Sequence, residues 1–371
     1  MRVLMLSKAC IVGIYQRKLE ELARLPDIDL CVVVPPSWRD SQGETQLERA
    51  YTDGYRLEVT PIRFNGNYHL HYYPAFATHV AAFQPDIVHI DEEPYNLATW
   101  MALRPARRLG AKTLFFSWQN IRRNYPPPFN FMERAALRSV DHAIVGTDSA
   151  AAVWRDKGYT GPLAVIPQFG VDPSLFSPPA NAAVAAESVR IGYAGRLWIG
   201  KGVDVLLKAL AQLPDLDWTL KIIGSGPEEP DLKQLCYELQ LGHRVSFNPW
   251  LPSTEMPRQM KQFDILVIPS RTRASWKEQY GRVIIEAMAT GVTVIGSDSG
   301  AIPDVIGDAG LVFPEDNIGQ LATQLRRVIE APDLRRTLGQ QARARVLEHF
   351  TQKQVAEKTH AVYSTLMDTP N

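Results

Sequence analysis

The chain has 371 residues, 45% of them hydrophobic and 22% charged, with a formal net charge of zero. That length exceeds one ordinary core and suits two globular domains, while the balanced charge, with neither half markedly basic, excludes the electrostatic footprint of a nucleic-acid binder. Cys10, Cys31 and Cys236 are widely spaced and show neither a disulfide framework nor a metal-ligand spacing, which fits a cytoplasmic protein.

In chain order, the opening run Val3–Leu6 is apolar for only four residues before Ser7 and Lys8. It is too short for a signal peptide and reads as a buried first strand. No apolar run reaches the length of a membrane span. Further short apolar runs follow at Leu30–Val34, Ile87–Ile90, Thr113–Phe116, Ala143–Val145 and Ala164–Ile166. A second set comprises Val189–Tyr193, Trp218–Ile223, Arg244–Phe247, Ile265–Ile268, Thr293–Ile295 and Leu311–Phe313. They alternate with longer helical patterns, the mark of parallel α/β units whose sheets are covered on both faces. The stretch 167–186 is rich in proline and small residues and reads as a linker. The expectation is two doubly wound, Rossmann-like domains, 1–170 and 188–350, hinged near 168–188. A final helix near 351–371 carries Val355, Thr359, Val362, Tyr363 and Leu366 at helical spacing and can close either domain. In open parallel sheets ligands bind beyond the carboxyl ends of the strands, so two such sheets would face each other across a reaction cleft.

The strongest chemical signal follows Val189–Tyr193. Gly195, Arg196, Gly200, Lys201 and Gly202 form a glycine-rich turn that leads into the helical run Val203–Leu210. Such a turn lets backbone amides approach a phosphate, and a fork-shaped Arg196 with a point charge at Lys201 suits a diphosphate. The alternative is a tight turn with two solvated cations. The stretch fails as a P-loop because Gly202 stands where a magnesium-binding Ser or Thr is needed. A second signal runs Glu278-Gln-Tyr280-Gly281-Arg282-Val283 to Glu286, with Gly291 as helix stop. Glu278 is placed in the loop before a helix and Glu286 inside it, beside amides of Gly281–Val283 at a positive helix end. The alternative is a capping Glu and a surface Glu. A third feature, Gly296 to Asp304, is a small-residue turn after a strand, or an ordinary loop. Asp27-Ile28-Asp29 and Asp215-Leu216-Asp217 look like metal-binding pairs, but both precede strands and are expected to be strand-entry turns. The histidines form no metal-ligand set, and Gly224-Ser225-Gly226 is an isolated Gly-x-Gly.

Taken in order, these pieces resemble the glycosyltransferase family 4 pattern on the GT-B fold. The matching stretches are Gly195-Arg196-Leu197 with Lys201-Gly202, Ile223–Pro227, Ile268-Pro269-Ser270, the Glu278…Glu286 pair, and Ser299–Pro303. Ile166–Asp172 is similar to the family's hinge with one residue inserted. The resemblance implies a retaining, metal-independent hexosyltransferase that uses a nucleotide-diphosphate sugar as donor substrate and needs no cofactor. It implies that Arg196 and Lys201 bind the diphosphate, Glu278 sugar hydroxyls and Glu286 the ribose, within a donor site spanning Tyr280, Gly281, Arg282 and Val283. It also implies that a glycine after the first strand, here Gly13, faces the donor. The acceptor is expected to be a saccharide or glycolipid hydroxyl, with a role in surface polysaccharide or glycolipid synthesis. Where many members carry a catalytic-site histidine, this chain has Ser117-Trp118-Gln119-Asn120, so an amide of Gln119 or Asn120 is the candidate contact to the transferred sugar, with Asp91, Glu92 and Glu93 as other options. Arg104, Arg107, Arg108, Arg122 and Arg123 either meet anionic lipid at the inner face of a membrane or form a solvated surface. Competing readings are a nucleotide-sugar epimerase on the same fold and a non-catalytic nucleotide-sugar binding protein.

Overall fold

The computed structural model describes residues 1–40, 43–179 and 188–368. Within the expected hinge, residues 180–187 lie outside the described residues, as do 369–371 of the expected final helix. The chain forms two compact units, Met1–Gly170 together with the stretch from Gln352, and Val171–Thr351.

The first unit runs β1 (Arg2–Ser7), α1 (Arg17–Ala23), β2 (Asp29–Val34), β3 (Ser37–Asp40), β4 (Gly43–Gln46), β5 (Arg56–Val59), α2 (Phe76–Phe83), β6 (Ile87–Asp91), α3 (Leu97–Leu109), β7 (Lys112–Ser117), α4 (Phe129–Ser139), β8 (His142–Val145), α5 (Asp148–Asp156) and β9 (Leu163–Val165). Its main sheet is wholly parallel in the order β5-β2-β1-β6-β7-β8-β9. Strand β1 shows why an apolar run without alternation becomes a central strand. Successive side chains point to opposite faces, so Val3 and Met5 enter one core while Leu4 and Leu6 enter another.

The second unit runs β10 (Val189–Ala194), α6 (Val203–Leu210), β11 (Trp218–Ile223), α7 (Glu229–Glu238), β12 (Val245–Asn248), α8 (Met256–Met260), β13 (Ile265–Ile268), α9 (Arg282–Ala289), β14 (Thr293–Ser297), α10 (Ile302–Ile306), β15 (Leu311–Phe313), α11 (Ile318–Glu330) and α12 (Pro332–His349). Its sheet, β12-β11-β10-β13-β14-β15, is also wholly parallel. The last helix, α13 (Gln352–Asp368), belongs to the first unit, where Val355, Val362, Tyr363 and Leu366 join the core of Val3 and Met5.

In both sheets the strand order reverses beside the first strand, between β1 and β6 and between β10 and β13. At such a switch point the two following loops leave toward opposite sides and open a crevice at the carboxyl ends. Every apolar run identified above is a strand. Two of them, β9 and β12, are shifted by one residue, and both lie at sheet edges. The polar strands β3, β4 and β5 carry no apolar run; β4 is exposed throughout and β5 almost so.

Helix α13 is tied to the sheet by His89, whose Nδ1 lies 2.6 Å from the Tyr363 hydroxyl. Burial pushes the His89 pKa from 6.5 down to about 4, outweighing the nearby Asp91 carboxylate. The unfolded chain therefore binds the extra proton between those values, so the stability due to neutral His89 is complete above pH 6.5 and is lost as pH falls toward 4. Its full loss corresponds to about 3 kcal/mol. His89→Gln should accordingly unfold in urea with a shallower decline in stability between pH 7 and pH 4.5 than the parent chain. Identical pH slopes for the two would show that His89 does not carry this dependence.

Candidate functional site

At the switch point of the second unit, β10 hands over to the turn Gly195–Trp198 and then to a single 3-10 turn, Ile199–Lys201. Gly202 follows with φ of +64° as the N-cap of α6. A Cβ there would lie 2.0 Å from the Pro269 carbonyl oxygen, so only glycine lets this turn settle against the end of β13. Arg271, which the sequence did not single out, staples the same junction. Its amide donates to Gly200 O at 2.9 Å, and its guanidinium pairs with Asp204 at 2.9 Å and Asp316 at 2.7 Å. The isolated Gly224-Ser225-Gly226 also has a place here. Ser225 O accepts from Leu197 N–H at 3.0 Å, and a Cβ on Gly226 would meet the Leu197 carbonyl at 2.1 Å.

This packing brings Lys201 to Glu278. Lys201 Nζ donates to Glu278 Oε2 at 2.6 Å, Ser270 Oγ donates to the same oxygen at 3.0 Å, and the ammonium sits 4.9 Å from the Trp276 ring centre. Two residues 77 apart in sequence, one from each side of the switch point, thus share one polar nest. Trp198 and Trp276 meet edge to face, with centroids 4.9 Å apart, and wall it. Arg196 is exposed beside it, with its carbonyl held by the Tyr193 hydroxyl at 3.0 Å.

Glu278 lies in the loop before α9 and Glu286 inside the helix. Gly281 is the N-cap, with φ of +70° and no side-chain cap over the amides that follow, so the helix start offers donors and positive potential. Tyr280 is buried, and Arg282 and Val283 are half-buried in the first turn. Arg282 Nε pairs with Glu286 Oε1 at 2.9 Å. Burial nevertheless raises the Glu286 pKa above the ordinary carboxylate value, against the pull of Arg282. The small-residue turn after β14 closes the nest, since Ala301 N–H donates to Glu278 O at 3.1 Å. A cation, helix amides and carboxylates near a strand-end crevice are groups able to hold an anion that also carries hydroxyls.

In the first unit the residues singled out are largely engaged with one another. Gly13 lies in a 3-10 turn after β1, and its N–H donates to Glu48 Oε2 at 2.6 Å. Gln119 is buried; its carbonyl oxygen accepts from Lys157 Nζ at 3.1 Å and its amide donates to Ile121 O at 3.2 Å. Both ends of that amide are therefore committed within the unit, and Asn120 beside it is also buried. The carboxylates after β6 divide similarly. Asp91 accepts from Ser7 Oγ and, at 2.8 Å, from Gln168. Glu92 takes Lys8 at 3.0 Å and Tyr73 at 2.9 Å, with His71 Nε2 at 3.3 Å. Burial would raise its pKa, but Lys8 and His71 hold it well below the usual range. Glu93 accepts from Ser117 Oγ at 2.6 Å and Trp118 N–H at 2.8 Å, and burial lifts it to about 7 despite those bonds. Glu93 and Lys157 together fix the loop that carries Gln119 and Asn120, a role that no local pattern announces.

Asp29 and Asp215 mark strand entries, paired with Arg56 at 2.6 Å and Arg326 at 2.7 Å. Among the described residues no group of three or more His, Cys, Asp or Glu is placed to hold a metal ion. No helix among them is long and apolar enough to cross a membrane.

Comparison with known proteins agrees with this geometry. Residues 180–345 match the family described as glycosyl transferases group 1, and residues 14–168 match a glycosyl transferase 4-like domain. The chain belongs to the group 1 glycosyltransferases. It is 26% identical over 299 residues to sulfoquinovosyl transferase SQD2 of Arabidopsis thaliana, covering 73% of this chain and 55% of that one. It is 30% identical over 258 residues to a D-inositol 3-phosphate glycosyltransferase of Streptomyces bingchenggensis, covering 63% and 55%. The chain thus spans a little over half the length of these curated relatives. Among solved structures, a sucrose-phosphate synthase from Thermosynechococcus elongatus superposes with a TM-score of 0.74 at 22% identity, covering 99% of both chains. HepE from Anabaena, in complex with UDP, gives 0.74 at 18% identity, covering 98% of this chain and 100% of that one. The fold is GT-B.

If the crevice depends on the turn at Gly202, then Gly202→Ala should lower stability by about 1–3 kcal/mol through the left-handed φ and the clash with Pro269. Gly242→Ala, where an added Cβ meets nothing within 4 Å, is the matched control. Thermal melts followed by circular dichroism should separate the two variants by several degrees; coincident melts would mean that the turn is not so constrained.

Proposed function

We propose that this protein is a retaining, metal-independent hexosyltransferase that moves a sugar from a nucleoside-diphosphate donor, held by the second unit, to a hydroxyl acceptor on the first. The observation that supports it most is the meeting of Lys201 and Glu278 at the β10–β13 switch point, in a chain of this family. Arg196 and Lys201 take the diphosphate, and the start of α9 at Gly281–Val283 adds its amides. Glu278 accepts hydrogen bonds from sugar hydroxyls, and Glu286 from the ribose. Lys201 is held by Glu278 before any ligand arrives, so little ordering is required when a phosphate replaces part of that contact.

Charge on the departing diphosphate is met by fixed cations and helix amides, which act without reorganising as the glycosidic bond breaks. A divalent ion is then unnecessary, and the donor is a substrate rather than a cofactor. For retention, the bond from the anomeric carbon to the diphosphate oxygen breaks while the acceptor oxygen bonds on the same face. The departing oxygen accepts the acceptor's proton. The protein has only to orient the two partners, and the loop of Gln119 and Asn120, fixed by Glu93 and Lys157, is the orienting element on the acceptor side. The acceptor is a saccharide or glycolipid hydroxyl, in surface polysaccharide or glycolipid synthesis at the cytoplasmic face of a membrane.

Two measurements test this reading. Arg196→Ala and Lys201→Ala should each weaken binding of a UDP- or GDP-sugar by about 10–100-fold in calorimetry, the usual effect of losing a charge-assisted contact; near-parental affinity in both removes them from the site. Transfer should also survive EDTA, and complete loss restored by magnesium or manganese would overturn metal independence. Conversion of the donor to an epimer without acceptor would identify an epimerase, and binding with no turnover on any acceptor a sensor.

A further inference from the structure

Helices α3 and α4 pack side by side in the first unit. A groove of about 470 Å³ between them is lined by Trp100, Arg104, Arg107 and Arg108 of α3 with Ala135 and Ser139 of α4. The spacing of the α3 residues, i, i+4, i+7 and i+8, places them on one helix face. Arg104 stacks on Trp100, its guanidinium 3.5 Å from the ring centre. On α4, Arg134 and Arg138 stand four apart, in helical register with Phe131, which is 64% exposed. All five arginines are exposed, and none is within ion-pair distance of a carboxylate among the described residues.

What distinguishes this face is the gathering of five such arginines on two adjacent helices, since some other exposed arginines, such as Arg196 and Arg258, also lack a carboxylate partner but stand singly in the sequence. Arg17, Arg24, Arg56, Arg190, Arg271 and Arg326 all meet carboxylates. Arg122, expected from sequence to share the basic surface, is instead paired with Asp156. With net charge zero over the whole chain, five exposed arginines on two adjacent helices form a local positive field complementary to an anionic surface. Phe131, with Leu109 at the end of α3, adds exposed apolar side chains to the same pair of helices. Basic residues combined with exposed apolar anchors suit the boundary between headgroups and acyl chains.

We infer that the α3–α4 face docks on a bilayer rich in anionic phospholipid, with a headgroup phosphate in the groove between Arg104, Arg107 and Arg108. This goes beyond the reading of a glycolipid acceptor by naming the surface, and vesicle binding tests it without any turnover. A basic residue near an anionic surface contributes about fivefold to binding, so removing three should cost about 100-fold at moderate salt.

The experiment is flotation of the full chain with vesicles of equal phosphatidylglycerol and phosphatidylcholine, and with phosphatidylcholine alone. The parent chain should float with the anionic vesicles only, and less so at high salt. The variant Arg104→Gln/Arg107→Gln/Arg108→Gln should lose that binding with an unchanged melting temperature, and Phe131→Ala should weaken it at high salt. A control that removes three exposed charges elsewhere, Lys233→Gln/Arg336→Gln/Lys353→Gln, should bind as the parent does. Equal binding to both vesicle types, loss of binding in the control, or binding of inorganic phosphate without vesicle binding would each overturn the proposal.

Discussion

The reversal of strand order between β10 and β13 is the constraint from which the second unit's chemistry follows. Two parallel neighbours end side by side, and their loops must diverge, so the backbone between them is left to be satisfied by something other than the sheet. Here the loops are drawn together again by close backbone approach. Gly202 rests on the Pro269 carbonyl, Leu197 and Gly195 bond to Ser225 and Ile223, and Arg271 ties both sides through Gly200 and Asp204. The result is a rigid rim in which Lys201 and Glu278 meet with no need for either to be near the other in the chain.

The first unit uses the same topology with a different outcome. Its switch point lies between β1 and β6, and the loops there are dense in ionisable groups. Yet Asp91, Glu92 and Glu93 each hold a neighbouring loop, through Gln168, Lys8 and Trp118 respectively. Buried carboxylates of this kind are stabilising only when their lone pairs are filled, and here the fillers are the neighbouring loops at Gln168, Lys8 and Trp118. The carboxylates are thus scaffold first. Glu93 is lifted to about 7 by burial, against the hydrogen bonds that it accepts from a hydroxyl and a backbone amide.

The distribution of unmatched charge separates three roles. Lys201 and Arg282 are paired with Glu278 and Glu286 at the strand-end crevice of the second unit. Lys157 is sunk between Glu133, Gln119 and the Trp154 ring, where it braces a loop. Arg104, Arg107 and Arg108 stand exposed without carboxylates along one helix face. A net charge of zero conceals this arrangement, since it reports only the sum.

The apolar runs determined the central strands by themselves, because a strand buried on both faces must be apolar throughout, and no later contact can substitute for that. The glycine-rich turn at Gly195–Gly202 and the helix start before Glu286 were likewise legible, since both are local structures. What the sequence could not show is anything that depends on which segments become neighbours. The polar strands β4 and β5 are held by pairing rather than by burial of their own side chains. Arg271 and Lys157 look like ordinary cations until the fold sets Asp204 and Glu133 beside them. Gln119 looks like a free amide until Lys157 and Ile121 take both of its ends. Local pattern specifies what a residue is able to do, but long-range packing decides whether its hydrogen-bonding groups are already spent.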